Sequence, residues 1–461
     1  MTYQILLTYP QQTASIRRKL SSSQADTTCK LFDAMGLMYY FAIYVFLFEA
    51  YGIPTSLPSS PPSNTIYEGN QLVRLTPHSV ESLHHLDEFL HNHNMDVWYH
   101  SIIPEQPCGV RVRLEDIAII KIFCEREGID FFVIISNIKT LIDETYEKND
   151  VSSSCFNYTN YNRYADIRKE LCRLKRRYSN LLRVCVIGYS HEGRKLLVVK
   201  VSNDVWHSSH KPIIWIDSGV HAREWISVAS GMFMLKQLLT GYGKNANITQ
   251  LLDEHVIYFV PVFNPDGYEY SFTNDRLWRK TRTNFANSPC IGADANRNWN
   301  VRWGGVGSSS NACAQIYHGV EPESEPCVKA YATLLRKKQT MLKSYWSLHS
   351  FFQLLLLPNS YTTTLPSDFA QLRKLAVIFQ QAIARRHNTL YAFAAAPFLI
   401  GPVSGVSLDY VHDELNVTHS YIVELRDRGV FGFLLPADQI QPTAEETLDA
   451  IVESVLAINS L

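Results

Sequence analysis

The chain has almost no net charge: 43 Lys and Arg residues stand against 44 Asp and Glu. A balance this even leaves no field to draw in nucleic acid or an anionic membrane surface. Also missing is any apolar run of the roughly 20 residues that a membrane-spanning helix needs. The stretch GLMYYFAIYVFLF, from Gly36 to Phe48, comes nearest with 13, so no stable membrane insertion is expected. Preceded by Arg17, Arg18 and Lys30, it reads as a signal-peptide core, with a signal anchor as the alternative. Residues 1–34 do not resemble a short leader start, which makes Met35 or Met38 a candidate translation start. There is no internal repeat, and the one biased tract is a Pro/Ser linker across residues 53–65, so solenoid and low-complexity architectures are excluded.

What remains is a chain of 461 residues, 46% hydrophobic, able to bury a sizeable core. At about 150 residues per domain the length allows about three units, but with residues 1–52 set aside as a leader, two folded units suffice. The first carries strand-like LVRL (Leu72 to Leu75) and a helix bearing Val80, Leu83, Leu86 and Leu90. MDVWYH, VRVRL, a helix through Ile117 to Phe123, and DFFVII follow. That alternation predicts a small α/β sandwich.

The segment IIWIDSGVHAREW, Ile213 to Trp225, carries the most chemistry. Ile213, Ile214, Trp215 and Ile216 predict a buried strand, and Ile226, Ala229 and Phe233 have helical spacing. His221 and Glu224 therefore fall in a strand-to-helix turn, where open α/β sheets bind ligands. An imidazole and a carboxylate so placed can share a metal ion, and catalytic zinc usually takes three N or O protein ligands. By itself such a pair is weak evidence, since most chance pairs of a histidine and an acid are merely solvated. His349, in SYWSLHSFFQLLLLP, lies 128 positions after His221 and is the best third ligand, although a lone His in such a segment is more often packed in a core. Glu424 closes the strand-like run of HSYIVELRD, where an acid at a sheet edge is the plainer reading.

Between these pieces come NPDGYEY (Asn264 to Tyr270), LWRKTR (Leu277 to Arg282) and CIGADANRNW (Cys290 to Trp299). In this order the motifs resemble the zinc metallocarboxypeptidases of the pancreatic carboxypeptidase A type, made as procarboxypeptidases, over roughly residues 66 to 461. The resemblance implies an α/β fold with a central mixed eight-stranded sheet flanked by helices, residues 149–461, preceded by a small α/β sandwich propeptide, residues 66–148. It implies one Zn2+ per catalytic domain, held by His221, Glu224 and His349, with Asp294 fixing an imidazole. Glu424 becomes the carboxylate that handles the proton of water, and Arg279 the cation that meets charge on the scissile carbonyl. Arg223 and Ser350 match the peptide-binding cleft. Asn296 and Arg297 match a clamp for a free α-carboxylate, which suits the planar fork of arginine and disfavours an endopeptidase. Leu408 matches the base of the pocket for the departing side chain. An apolar residue there cannot pair a buried cation, so the expected substrates are peptides or proteins with a free, apolar C-terminal residue.

The same resemblance pairs Cys290 with Cys313; Cys172 and Cys185 could pair as well, and nine cysteines cannot all pair internally. The propeptide would cover the cleft until an activating trypsin-like protease cuts at Lys148, the only basic residue in ETYEKNDVSSSC, whereas an accessory domain that stays attached is the alternative. Sequons at Asn157, Asn247 and Asn416 fit glycosylation of a secreted, extracellular product, and a monomer is expected. The chain also departs from the pattern: Gly401 stands where a loop tyrosine belongs, Ala394 replaces a glycine, and Phe351 replaces a tyrosine after His349. Between Asp409 and Glu424 it is one residue longer than the commonest form. Activity with altered substrate contacts is expected; a peptide-binding pseudoenzyme is the rival.

Overall fold

The computed structural model describes residues 64–460 other than 101, 150–155 and 287; the expected leader, most of the linker, Cys29, Cys155 and the Lys148 side chain lie outside the described residues. Four strands and three helices come first: β1 (Gln71–Thr76), α1 (Val80–Asn92), β2 (Asp96–Tyr99), β3 (Cys108–Val112), α2 (Ile117–Glu127), β4 (Asp130–Ile135) and α3 (Ile138–Asn149). The strands pair antiparallel in the order β2-β3-β1-β4. Ser79 starts α1 through a reciprocal capping box with Ser82, and left-handed Gly128 ends α2. Val73, Leu75, Val110 and Val112 pack against Leu86, Leu90, Ile120 and Phe123, which puts both helices on one face of the sheet. The small sandwich predicted for this segment is present.

Eight strands build the larger sheet: β5 (Leu182–Tyr189), β6 (Lys195–Val201), β7 (Ile213–Ser218), β8 (Val256–Val260), β9 (Leu342–Ser350), β10 (Leu354–Leu357), β11 (Ala392–Ala395) and β12 (Ser420–Leu425). Their order is β11-β10-β12-β9-β7-β8-β6-β5. The central four run parallel, and β10, β6 and β5 bring in antiparallel pairs, so the sheet is mixed as expected. Every residue of β7 and β8 is buried. Strands covered on both faces read as continuous apolar runs, and these two do.

Around the sheet lie α4 (Tyr164–Arg177), α5 (Trp225–Gly241), α6 (Ala246–Glu254), α7 (Pro265–Thr273), α8 (Pro326–Lys338), α9 (Phe369–His387) and α10 (Ile440–Ala457). One face packs on α4, α5, α9 and α10 through residues such as Leu171, Met232, Phe379 and Ile451. The other packs on α8 through Val328, Tyr331 and Leu335, joined by Trp299 and Tyr410. Just before β12, Tyr410–Glu414 forms a turn of π-helix. Its wider i→i+5 turns fall within the segment from Asp409 to Glu424.

Cys290 and Cys313 form a disulfide. Cys172 and Cys185 do not pair: both are free thiols, Cys172 on the solvent side of α4 and Cys185 half-buried in β5.

Candidate active site

The parallel strands β12, β9 and β7 are neighbours, and their C-terminal ends deliver the chemistry to one place. His349 is the penultimate residue of β9, and Glu424 pairs with it in register on β12. His221 and Glu224 sit in the turn from β7 into α5, as predicted, with Glu224 immediately before the first helical residue. That turn is tight at Gly219, where φ is +69° and a Cβ would come within 2.7 Å of Val228 Cγ2. Only glycine tolerates both conditions, and the approach seats α5 close beneath the turn.

His221 Nδ1 lies 2.6 Å from Glu224 Oε1, and His349 Nδ1 lies 3.1 Å from Glu224 Oε2. One donor atom from each of the three buried residues falls within 4.8 Å of the others. The opposite ring nitrogens are occupied elsewhere: His221 Nε2 contacts Asp294 Oδ1 at 3.2 Å, and His349 Nε2 contacts Ser347 Oγ at 3.0 Å. Two imidazoles backed on their far sides and one carboxylate are the nitrogen and oxygen donor set that zinc takes, so these residues fit the metal. Burial opposes charge on Glu224, but the two imidazoles outweigh it and hold its carboxyl well below the usual range. Burial and the Arg279 charge lower the proton affinity of His221 against the pull of Glu224 and Asp294, whereas at His349 burial is outweighed by the Glu224 charge, which raises it.

Asp294 organises the other half of the site. Burial opposes its charge too, yet Arg279 and Arg297 hold it ionised. Arg279 donates to Asp294 Oδ2 from Nε and Nη2 at 3.1 and 2.7 Å, and the Asn296 amide donates to Oδ1 at 2.8 Å. Arg297 is steered by carbonyls, donating from Nε to Gly307 O at 2.7 Å and from Nη1 to Asn296 O at 2.9 Å. The Asn296 side chain accepts from Ser407 N at 2.9 Å, which ties this loop to the one that follows Gly401. Ser350 donates its backbone N–H to Glu224 Oε2 at 3.3 Å, and its hydroxyl is buried without a partner.

These groups surround a cavity of about 710 Å³. Glu424 is half-exposed only to that enclosed space; burial, with the Glu224 charge adding to it against His349 and Arg279, pushes its carboxyl up to about 8. Leu356, Ala396, Val406 and Ile422 make an apolar wall. Leu408 differs from expectation: it is fully buried in the same cluster and does not line the cavity, whereas Val406 and Ile422 do. Gly401 does line the cavity, whereas Tyr391 and Tyr410 do not: Tyr391 is buried behind β11, and Tyr410 accepts from Arg336 at 2.8 Å.

The remaining wall comes from the small sandwich. Trp98, Tyr99, His100 and Ile102 face into the cavity opposite Glu424 and Arg297. Asp96 receives Arg223 Nη1 at 2.8 Å, and Trp98 packs against Phe351 and Phe433. Tyr67 donates to Asp275, and Tyr146 donates to Ser271 O at 3.1 Å. Sequence reasoning missed Asp96, and also Asp217, which accepts from Ser347 Oγ at 2.6 Å behind His349; an acid in the apolar strand IIWIDS was the available signal.

Three convergent ligands, a carboxylate beside them and two arginines across a cleft closed by a separate folded segment define a metal-dependent hydrolase held in a covered state. The zinc carboxypeptidase sequence model matches residues 167–450, and the carboxypeptidase activation peptide model matches residues 73–145. Carboxypeptidase A2 of Rattus norvegicus is 37% identical over 402 residues, covering 84% of this chain and 94% of that protein. Carboxypeptidase B of the same species is 34% identical over 389 residues, covering 84% and 92%. The crystal structure of thrombin activatable fibrinolysis inhibitor superposes with a TM-score of 0.79 at 31% identity, covering 86% of this chain and all of that one. The chain belongs to the zinc carboxypeptidase family and carries that family's activation peptide.

Proposed function

We propose that the protein is a secreted precursor of an exopeptidase that removes apolar C-terminal residues, with one zinc ion per catalytic domain held by His221, Glu224 and His349. The observation that carries this reading is a cavity lined both by Asn296 and Arg297 and by the apolar cluster of Leu356, Ala396, Val406 and Ile422. An arginine fork binds a carboxylate bidentately, while a wall without an acid leaves a Lys or Arg side chain unpaired at a large desolvation cost. Among the described residues no helix is long and apolar enough to cross a membrane.

Zinc, when bound, supplies Lewis acidity and lowers the pKa of a bound water from about 15.7 toward 7. Glu424 accepts the water proton on its carboxylate and returns it to the leaving amine nitrogen. Arg279, kept in place by two hydrogen bonds to Asp294, points its charge at the scissile carbonyl oxygen as that oxygen becomes negative. Arg297 holds the substrate's terminal carboxylate, and Arg223 joins the cleft once Asp96 leaves. A trypsin-like protease would cut near Lys148, at the end of α3, to free that cover.

Mass spectrometry of peptides differing in their last residue, with and without a chelator and before and after trypsin, tests the reading. Stepwise loss of Leu, Ile, Val or Phe that needs both zinc and cleavage is expected. Preferential loss of Lys or Arg would overturn the specificity, and internal cuts would overturn the exopeptidase assignment.

A further inference from the structure

The two histidines are supported differently. Behind His221 stands a carboxylate in direct contact, Asp294, at 3.2 Å. Behind His349 stands a hydroxyl: His349 Nε2 lies 3.0 Å from Ser347 Oγ, and Ser347 Oγ donates to Asp217 Oδ1 at 2.6 Å. Trp215 Nε1 donates to the other oxygen, Asp217 Oδ2, at 2.8 Å. All four side chains are buried. Asp217 is the last but one residue of β7, and Ser347 faces it across the paired strands β7 and β9 in register. The relay is therefore built from the two strands that also carry the ligands.

A serine hydroxyl has one proton to give. Here that proton is committed to Asp217, so Ser347 Oγ meets His349 as an acceptor. His349 must then carry its proton on Nε2, which leaves the Nδ1 lone pair facing Glu224 and His221. We propose that Asp217 and Ser347 form a positioning relay that fixes the tautomer and ring orientation of His349 and so slows loss of the metal. This rests on the metal reading above. The polar partners behind a ligating histidine typically change metal affinity by about 10- to 100-fold, and a carboxylate acting through a hydroxyl supplies both a fixed acceptor and a fixed direction.

The test measures zinc release from the full-length zinc-loaded precursor into excess 4-(2-pyridylazo)resorcinol, alongside the melting temperature of each chelator-stripped protein. Ser347→Ala should release zinc about 10- to 100-fold faster while the stripped protein melts as wild type does. Ser347→Thr, which keeps a hydroxyl, should restore slow release. Asp217→Asn, nearly isosteric, should also speed release if Ser347→Ala does not fold. Unchanged release in Ser347→Ala and Asp217→Asn would overturn the relay, as would faster release that merely follows a lowered melting temperature and is not rescued by threonine. A wild-type protein that takes up no zinc would instead refute the metal reading.

Discussion

Asp96→Ala should unlock the precursor without a cut in the connector. Asp96 and Arg223 are 7% and 2% exposed, 2.8 Å apart, and belong to the cover and the cleft respectively. Removing one partner of such a buried pair leaves an uncompensated charge, at a cost of about 3–5 kcal/mol. That cost falls on the covered state alone: with the cover in place Arg223 is pressed against the Phe433 ring, 4.1 Å from its centroid, and with the cover gone it is hydrated. At 1.4 kcal/mol per tenfold, the covered state should lose roughly two to three and a half powers of ten in its equilibrium with the open state. Arg111 also binds Asp96, at 2.9 Å, but it is partly exposed and belongs to the cover itself; Arg111→Met leaves Asp96 paired with Arg223 across the cleft and should have a smaller effect. The assay is hydrolysis of a short apolar-ended peptide by uncut precursor of equal zinc content. Asp96→Ala that stays as latent as wild type would refute the latch. The pH dependence has a definite sign. Burial works against the Asp96 charge, but Arg223 and Arg111 outweigh it and hold the carboxyl well below its ordinary range. A depressed folded-state pKa contributes stability that is present above the unfolded value, about 3.9, and is lost only as pH falls through the folded one. Lowering the pH from 7 to 5 should therefore not open the cover by this route.

Glu424→Gln should lower turnover by at least about 10²-fold with zinc content unchanged, whereas His221→Ala should lose zinc; equal zinc loss in both would show that Glu424 is a ligand. Val406→Gly should deepen the pocket to the Leu408 layer and raise kcat/KM for Phe and Trp over Val by roughly 10-fold or more; no change would mean that Val406 does not meet the substrate side chain. Gly401→Tyr should not tighten substrate binding. A regained neutral hydrogen bond is worth about 0.5–1.5 kcal/mol, but Gly401 has φ +80° and ψ 165°, a region that costs other residues about 1–3 kcal/mol. A tenfold fall in KM on titration of that variant would show that the loop relaxes at no cost.

The parts of this protein that were legible in its sequence share one property: their partners are near in the chain or imposed by period. Apolar runs at Ile213 and Val256 announce strands buried on both faces, and the turn between strand and helix places His221 beside Glu224 whatever the rest of the chain does. What escaped depends on depth and on long-range pairing. Leu408 lies in its expected segment, but it is buried in a cluster whose members Val406 and Ile422, and not Leu408, line the cavity. Asp96 meets Arg223 across 127 positions, and Asp217 meets Ser347 across 130, with no period relating either pair. Gly401 shows why a missing side chain need not be a missing function. A Cβ there would sit 3.0 Å from Ile102 Cγ2 of the cover. In the precursor, the space that a loop side chain would claim is bordered by the propeptide, so the glycine favours close docking of the cover.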